Sequence, residues 1–205
     1  VRVWFKKDST ARYISHLDLN RCMLRAIHHS KLPVWYTEGF NPHPFATFSL
    51  PLSLGFRGIR ESMDIKLTAE IDYSDFASRL NSFLPEGIKI FSVTEPVEKP
   101  TVISYADYEI KLSSDTITAE ELFNYLQSFI EQDEILVDKK SKSGIKQVDL
   151  KENLCRYTTN KADDFVMLKA TLPAGSRNNV NPMLYVKALE EYCQNEIFAD
   201  VTRTE

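Results

Sequence analysis

The residues of this chain best suited to chemistry are its 4 histidines, and two of them stand in distinctive surroundings. His16 lies in the run Tyr13-Ile14-Ser15-His16-Leu17-Asp18. A histidine exchanges protons near neutral pH and can serve as a general acid or base. Its neighbour Asp18 is two residues away at a helix start, so the two side chains do not automatically form a catalytic pair. Asp18 reads more simply as the third helical residue after a Ser15 cap. His43 stands between Pro42 and Pro44, which restrict its backbone, and Gly39 permits a turn that brings Asn41 near it. A structural loop accounts for these residues at least as well as catalysis, so no residue is assigned a catalytic role.

Charge favours binding over chemistry. The chain carries a formal net charge of -4, yet its first 37 residues hold seven Lys or Arg against Asp8 and Asp18. Arg21, Arg25 and His28 recur at helical spacing and place this positive charge on one side of a helix. A second basic stretch contains Lys139, Lys140, Lys142, Lys146 and Lys151 against Asp149. Brought together, the two could hold phosphates. Tyr13, Trp35, Tyr36, Phe40 and Phe45 crowd the same region as the first cations and could stack on unpaired bases where exposed, although core packing explains any single ring. Further along, Arg177 in the Gly175 to Pro182 turn suits a phosphate or carboxylate, with Asn178 and Asn181 as capping groups. The residues expected to bind substrate are therefore His16, Arg21, Arg25, Asn41, His43, Lys142 and Arg177.

Other chemistries find little support. Cys22, Cys155 and Cys193 are widely spaced and make neither a disulfide framework nor a thiolate metal cluster. The histidines match no metal motif, and adjacent His28 and His29 point in different helical directions. No P-loop, dinucleotide fingerprint or Gly-x-Ser-x-Gly elbow is present. No cofactor is expected in this chain. Without a membrane-length apolar run or a secretory leader, a cytoplasmic protein is expected.

The elements that must position these residues follow from periodicity. Val1, Val3 and Phe5 alternate with polar or amphipathic residues, as in a strand. A helix follows Ser15, with Leu19, Cys22, Met23, Ala26 and Ile27 facing the core, and ends before Pro33. Strands are expected at Pro33 to Tyr36, Phe45 to Leu50, Met63 to Leu67 and Gly87 to Val93, with a helix over Tyr73 to Leu84. This gives β-α-β-β-β-α-β, a ferredoxin-like order with an extra hairpin strand. The second half repeats the rhythm. Strands are expected at Tyr105 to Leu112, Ile135 to Asp138, Ile145 to Val148 and Phe165 to Leu172, with helices at Ala119 to Ile130 and Met183 to Cys193. Residues 201–205 are expected to hold at most the start of a closing strand. The fold class expected is α+β with tandem ferredoxin-like units: 1–98, carrying the basic helix and polar loop, and 99–205, C-terminally incomplete.

The ordered combination YISHLDLNRCMLRAI, LPVWYTEGFNPHPFATFSLPL and ESMDIKL resembles the DUF2344 family of uncharacterised bacterial proteins, also described as radical-SAM-linked. Lys142 to Leu150 and the final Arg203-Thr204-Glu205 match more weakly. The resemblance implies a radical SAM protein as partner, and that partner would carry the iron-sulfur cluster and S-adenosylmethionine. This chain lacks the cysteines to ligate such a cluster. More distantly, the SHLD start and polar loop are similar to the repeat-RNA endonucleases of CRISPR systems, which use paired ferredoxin-like domains.

The leading expectation is a non-catalytic accessory module that recognises an RNA-like substrate, RNA or tRNA, or docks to a radical SAM protein. The alternatives are a metal-independent RNA-processing enzyme using His16 or His43, and a structural protein-interaction adaptor. No membrane contact is expected.

Overall fold

The computed structural model describes residues 1–141, 144–175 and 178–205. The fold is α+β, and six strand-to-strand ladders among the described residues are antiparallel. It divides into two compact units, Val1–Ile103 with Arg203–Glu205, and Ser104–Thr202.

Unit 1 runs β1 (Arg2–Lys7), a 3-10 turn (Ser9–Tyr13), α1 (His16–Ser30), β2 (Ala46–Phe48), β3 (Arg57–Ile65), α2 (Tyr73–Asn81) and β4 (Ile88–Thr94). Its strands lie in the order β4-β1-β3, with β2 paired to β3. Chain order and spatial order together are those of a ferredoxin-like sheet. Val3, Phe5, Met63, Ile65, Ile88 and Ile90 point to one face and are buried against Leu19, Met23, Ala26 and Ile27 of α1 and Phe76 and Leu80 of α2. Each such side chain contributes about 1.5–3 kcal/mol of transfer free energy, which outweighs the weak β propensity of the charged residues between them. The additional pairing expected of Pro33 to Tyr36 takes the form of two isolated bridges, Val34 to Leu67 and Tyr36 to Pro44. The prolines at 33, 42 and 44 lack the N–H a longer ladder needs.

Unit 2 runs β5 (Tyr105–Ser113), α3 (Ala119–Glu131), β6 (Leu136–Ser141), β7 (Gly144–Asp149), α4 (Leu150–Asn153), β8 (Arg156–Lys161), β9 (Val166–Pro173), α5 (Met183–Cys193) and β10 (Phe198–Arg203). Its strand order, β10-β5-β9-β8, repeats that of unit 1, with the β6–β7 hairpin and α4 inserted after α3. The closing strand expected only to begin at Val201 is a full strand from Phe198. Polar β8 was not anticipated, because five of its six residues are exposed and it has no apolar face to read.

Candidate functional site

The first turn of α1 is held by Ser15. Its Oγ accepts the Asp18 N–H at 3.1 Å, and its hydroxyl donates to the Asp18 carboxylate at 2.7 Å. Those contacts, with Arg21 at 2.9 Å, hold the Asp18 carboxyl below its ordinary range, the Ser15 hydrogen bond first. Asp18 is thus a capping residue. The Arg21 guanidinium spends its charge on it, although 72% of that side chain remains exposed. Arg25, next on the same face, is exposed and has no hydrogen bond or ion pair among the described residues. His28 Nδ1 meets the Tyr36 hydroxyl at 2.9 Å, which ties the far end of α1 to the root of the polar loop.

The loop is ordered by its own atoms. Thr37 N–H donates to the His43 carbonyl at 2.9 Å, and His43 N–H donates to Thr37 Oγ1 at 3.2 Å. The His43 ring lies 3.1 Å from Thr37 Oγ1 and 3.2 Å from the Asn41 carbonyl, so Asn41 orients it through its backbone. Gly39 has φ +121°, a conformation that favours glycine. At the tip, Phe40 is 105% exposed, flanked by exposed Asn41 and His43. Trp35 and Phe45 at the loop base pack on each other, 5.5 Å between centroids, and Lys66 lies over Trp35 at 4.2 Å. Tyr13 is 68% exposed beneath the Arg12 guanidinium.

His16 belongs to a different environment. Its ring packs edge-on against Phe48 at 5.1 Å, and its Nδ1 is shielded from solvent without a hydrogen-bond partner among the described residues. Burial lowers its pKa first, and the Arg203 and Lys7 charges lower it further against the pull of Glu61. No contact among the described residues joins His16 to His43. His28, twelve residues beyond His16, lies about 18 Å along the axis at 1.5 Å per residue, so α1 holds the two histidine environments apart.

The cations near His16 form a buried charged cluster. Arg203 donates through Nε to Glu61 at 2.9 Å, through Nη2 to the second Glu61 oxygen, and through Nη1 to the Pro51 carbonyl at 3.0 Å. Lys7 is 0% exposed, and its ammonium donates to the Ile14 carbonyl at 3.0 Å. Burial pushes the Lys7 pKa down, with Glu61 opposing. Arg12 Nε donates to the Gly55 carbonyl at 2.9 Å. A Cβ on Gly58 would overlap the Glu61 side chain, so glycine makes room for that carboxylate. The cluster pins the 51–55 segment and the turn before α1 to the sheet.

A model of the DUF2344 family, described as an uncharacterised protein conserved in bacteria, matches residues 1–182. The chain belongs to that family. Among solved structures, this DUF2344 protein is similar to a chain of a Cbf5-Nop10-Gar1 complex, with a TM-score of 0.52 and 7% identity over 98% of this chain and 48% of that one. It thus spans about half of that chain's length, and the likeness is one of fold alone. A crystal structure of an unknown protein from Galdieria sulphuraria matches over 98% of this chain and 96% of that one at 13% identity, with a TM-score of 0.29 that supports no argument. No curated protein matches the sequence.

Of the residues expected to bind substrate in this DUF2344 chain, the structure groups Asn41 and His43 in one loop, and Arg21 and Arg25 on one helix face tied to that loop through His28 and Tyr36. It places His16 elsewhere. Lys142 and Arg177 lie outside the described residues. Sequence reasoning missed the Lys7–Glu61–Arg203 cluster, although a sign was available. Lys7 shares the period-two parity of Val3 and Phe5, the inward face of β1. Among the described residues, no group of three or more His, Cys, Asp or Glu could hold a metal, and no helix is long and apolar enough to cross a membrane.

Proposed function

We propose that unit 1 is a non-catalytic recognition module that grips an RNA-like substrate with the polar loop and the exposed face of α1. The observation that carries this reading is Phe40, a fully exposed aromatic ring at the tip of a loop pre-ordered by Thr37, Asn41 and His43. An ordered loop that holds a large apolar ring in water gains nothing for folding, whereas a ring stacked on an unpaired base contributes about 1–3 kcal/mol to binding. Arg25, exposed and without an ion pair among the described residues, supplies a cation for a phosphate, and Asn41 offers an exposed amide. His43 takes a positioning role. The chemistry, on this reading, belongs to a radical SAM partner, which would contribute the iron-sulfur cluster and S-adenosylmethionine.

The test is fluorescence anisotropy of labelled RNA fragments with the chain. Phe40→Ala is expected to weaken binding roughly tenfold, and Arg25→Ala to lower the log–log salt slope by about 0.7. Unchanged affinity in both variants, or selective capture of a radical SAM protein through this loop without RNA, would overturn the reading.

A further inference from the structure

The face of the unit 1 sheet opposite α1 and α2 carries aromatic and basic side chains that neither helix covers. Arg2, Trp4 and Lys6 of β1 point there, alternating with the inward Val3 and Phe5. On β4, the register with β1 slips between Trp4↔Ser92 and Phe5↔Ile90, so Phe91 is an unpaired bulge residue. The bulge is built in. Asn81 of α2 takes both backbone groups of Ile90, donating to its carbonyl at 2.9 Å and accepting its N–H at 2.8 Å. A bulge re-aims side chains. This one sends both Phe91 and Ser92 toward the helix-free face, where they line an open groove of about 860 Å³ together with Trp4, Ile59, Arg60 and Val97.

Three properties of the groove define what would fill it. First, its floor is aromatic and wet: Phe91 is 51% exposed, Ile59 48% and Val97 94%. Second, a planar group already lies on Trp4. The Arg60 guanidinium sits 5.2 Å from the ring centroid, while Trp4 Nε1 donates to Thr94 Oγ1 at 3.0 Å and fixes the indole plane. Arg60 is 54% exposed and, among the described residues, its guanidinium is ion-paired with Glu205 alone, at 3.1 Å, so a stronger planar ligand can displace it. Third, outside the groove's own lining but on the same face, Lys6 and Lys89 are direct cross-strand partners, both exposed and neither with an acidic partner among the described residues. Like charges directly opposite destabilise a sheet, and an anion bound between them removes that cost. The acidic groups, Glu95 and Glu98, line the other end beside Arg2, whose guanidinium is held by Asp64 at 2.7 Å. Arg2 and Lys6 are about 13 Å apart along the strand at 3.3 Å per residue, so the acidic end does not neutralise the lysine pair.

We propose that this face is a second nucleic-acid contact, on which bases of a single-stranded RNA stack on Trp4 and Phe91 while Lys6 and Lys89 take its phosphates. Four-stranded sheets in this strand order are suited to the task, because neighbouring strands present rings at base-stacking distance on a flat surface. The inference rests on the RNA reading above but uses a separate surface. The loop and α1 would hold one stretch of the strand and the sheet another.

The chain has 2 tryptophans, so Trp35→Phe leaves Trp4 as its sole indole emitter. In that protein, titration with fluorescein-free oligouridylate should quench Trp4 emission saturably. Phe91→Ala, whose ring is half exposed, should weaken binding roughly tenfold. The Lys6→Ala, Lys89→Ala pair should reduce the salt slope by about 1.4, at 0.7 per phosphate contact. Trp4→Leu, checked by thermal melting, should abolish stacking while keeping apolar bulk. If Phe91→Ala and the lysine pair leave affinity unchanged while Phe40→Ala and Arg25→Ala weaken it, the sheet site is wrong and the loop reading stands. If the sheet variants alone lose affinity, the sheet site stands and the loop reading falls. No RNA binding by the intact chain overturns both, and polyglutamate binding as tightly as oligouridylate at this face overturns base stacking.

Discussion

At the scale of single residues, the same side-chain types serve opposite ends. Arg21 and Arg203 are both arginines beside a carboxylate, yet one is a solvated cap partner and the other closes a buried pair with Glu61. His16 and His43 differ in the same way. His43 is exposed and oriented by its own loop, while His16 is packed on Phe48, where burial first and the nearby Arg203 and Lys7 charges second lower its pKa. A lowered histidine pKa means that the unfolded chain binds more protons than the folded one once pH drops below the ordinary value of 6.5. Stability is therefore full above that pH and lost progressively as pH falls through the folded-state pKa. Urea midpoints measured across this range should fall on acidification, and His16→Gln should flatten the dependence between pH 6.5 and the lower limit of the window. An unchanged slope in the variant would remove His16 from the account. These distinctions were not legible in the sequence. The motif around Ser15 to Asp18 foretold the cap, but which cations were buried depended on residues from 61 and 203, far along the chain.

At the scale of elements, local patterns decided most of the outcome. Met183–Cys193 ends where its apolar spacing ends, and α1 starts at its serine cap. Loss of the Ser15 hydroxyl in Ser15→Ala should cost about 1 kcal/mol in chemical denaturation. The elements that the pattern missed are those whose order comes from partners. β8 is exposed along most of its length and is held by its ladder to β9. Pro33 to Tyr36 reads as a strand, but the neighbouring prolines limit it to two bridges. The turn entering β4 shows the same dependence. Gly87 has φ +87°, and a Cβ there would sit 2.5 Å from the Asp8 carbonyl oxygen and 2.9 Å from the Ala11 Cβ. Gly87→Ala should destabilise unit 1 by more than about 1 kcal/mol, read as a lower urea midpoint, whereas a neutral effect would show that the turn before α1 is not packed against β4 as described.

At the scale of the molecule, the strand order β4-β1-β3 of unit 1 and β10-β5-β9-β8 of unit 2 repeats one plan, and unit 1 takes its last residues from the far end of the chain. Removing residues 203–205 strips Glu61 of its buried guanidinium partner, and breaking such a pair from one side costs about 3–5 kcal/mol. The shortened chain should therefore unfold unit 1 at markedly lower urea, and an unshifted transition would contradict the role given to Arg203. The tandem rhythm of strands and helices was visible in the sequence, including strands at Ile135 to Asp138 and Ile145 to Val148 that overlap β6 and β7, but the short α4 and the polar β8 after it were not, because short polar elements carry no periodic signature.

The central claim is that the loop bearing Phe40 contacts RNA. Ultraviolet crosslinking of the intact chain to RNA, followed by mass-spectrometric mapping of the adducts, tests it most directly. The account predicts adducts on the peptide spanning residues 37–44 that disappear in Phe40→Ala, with the fold's stability unchanged within about 0.5 kcal/mol. RNA adducts confined to other surfaces, or a loop that crosslinks to a protein partner and never to RNA, would contradict it.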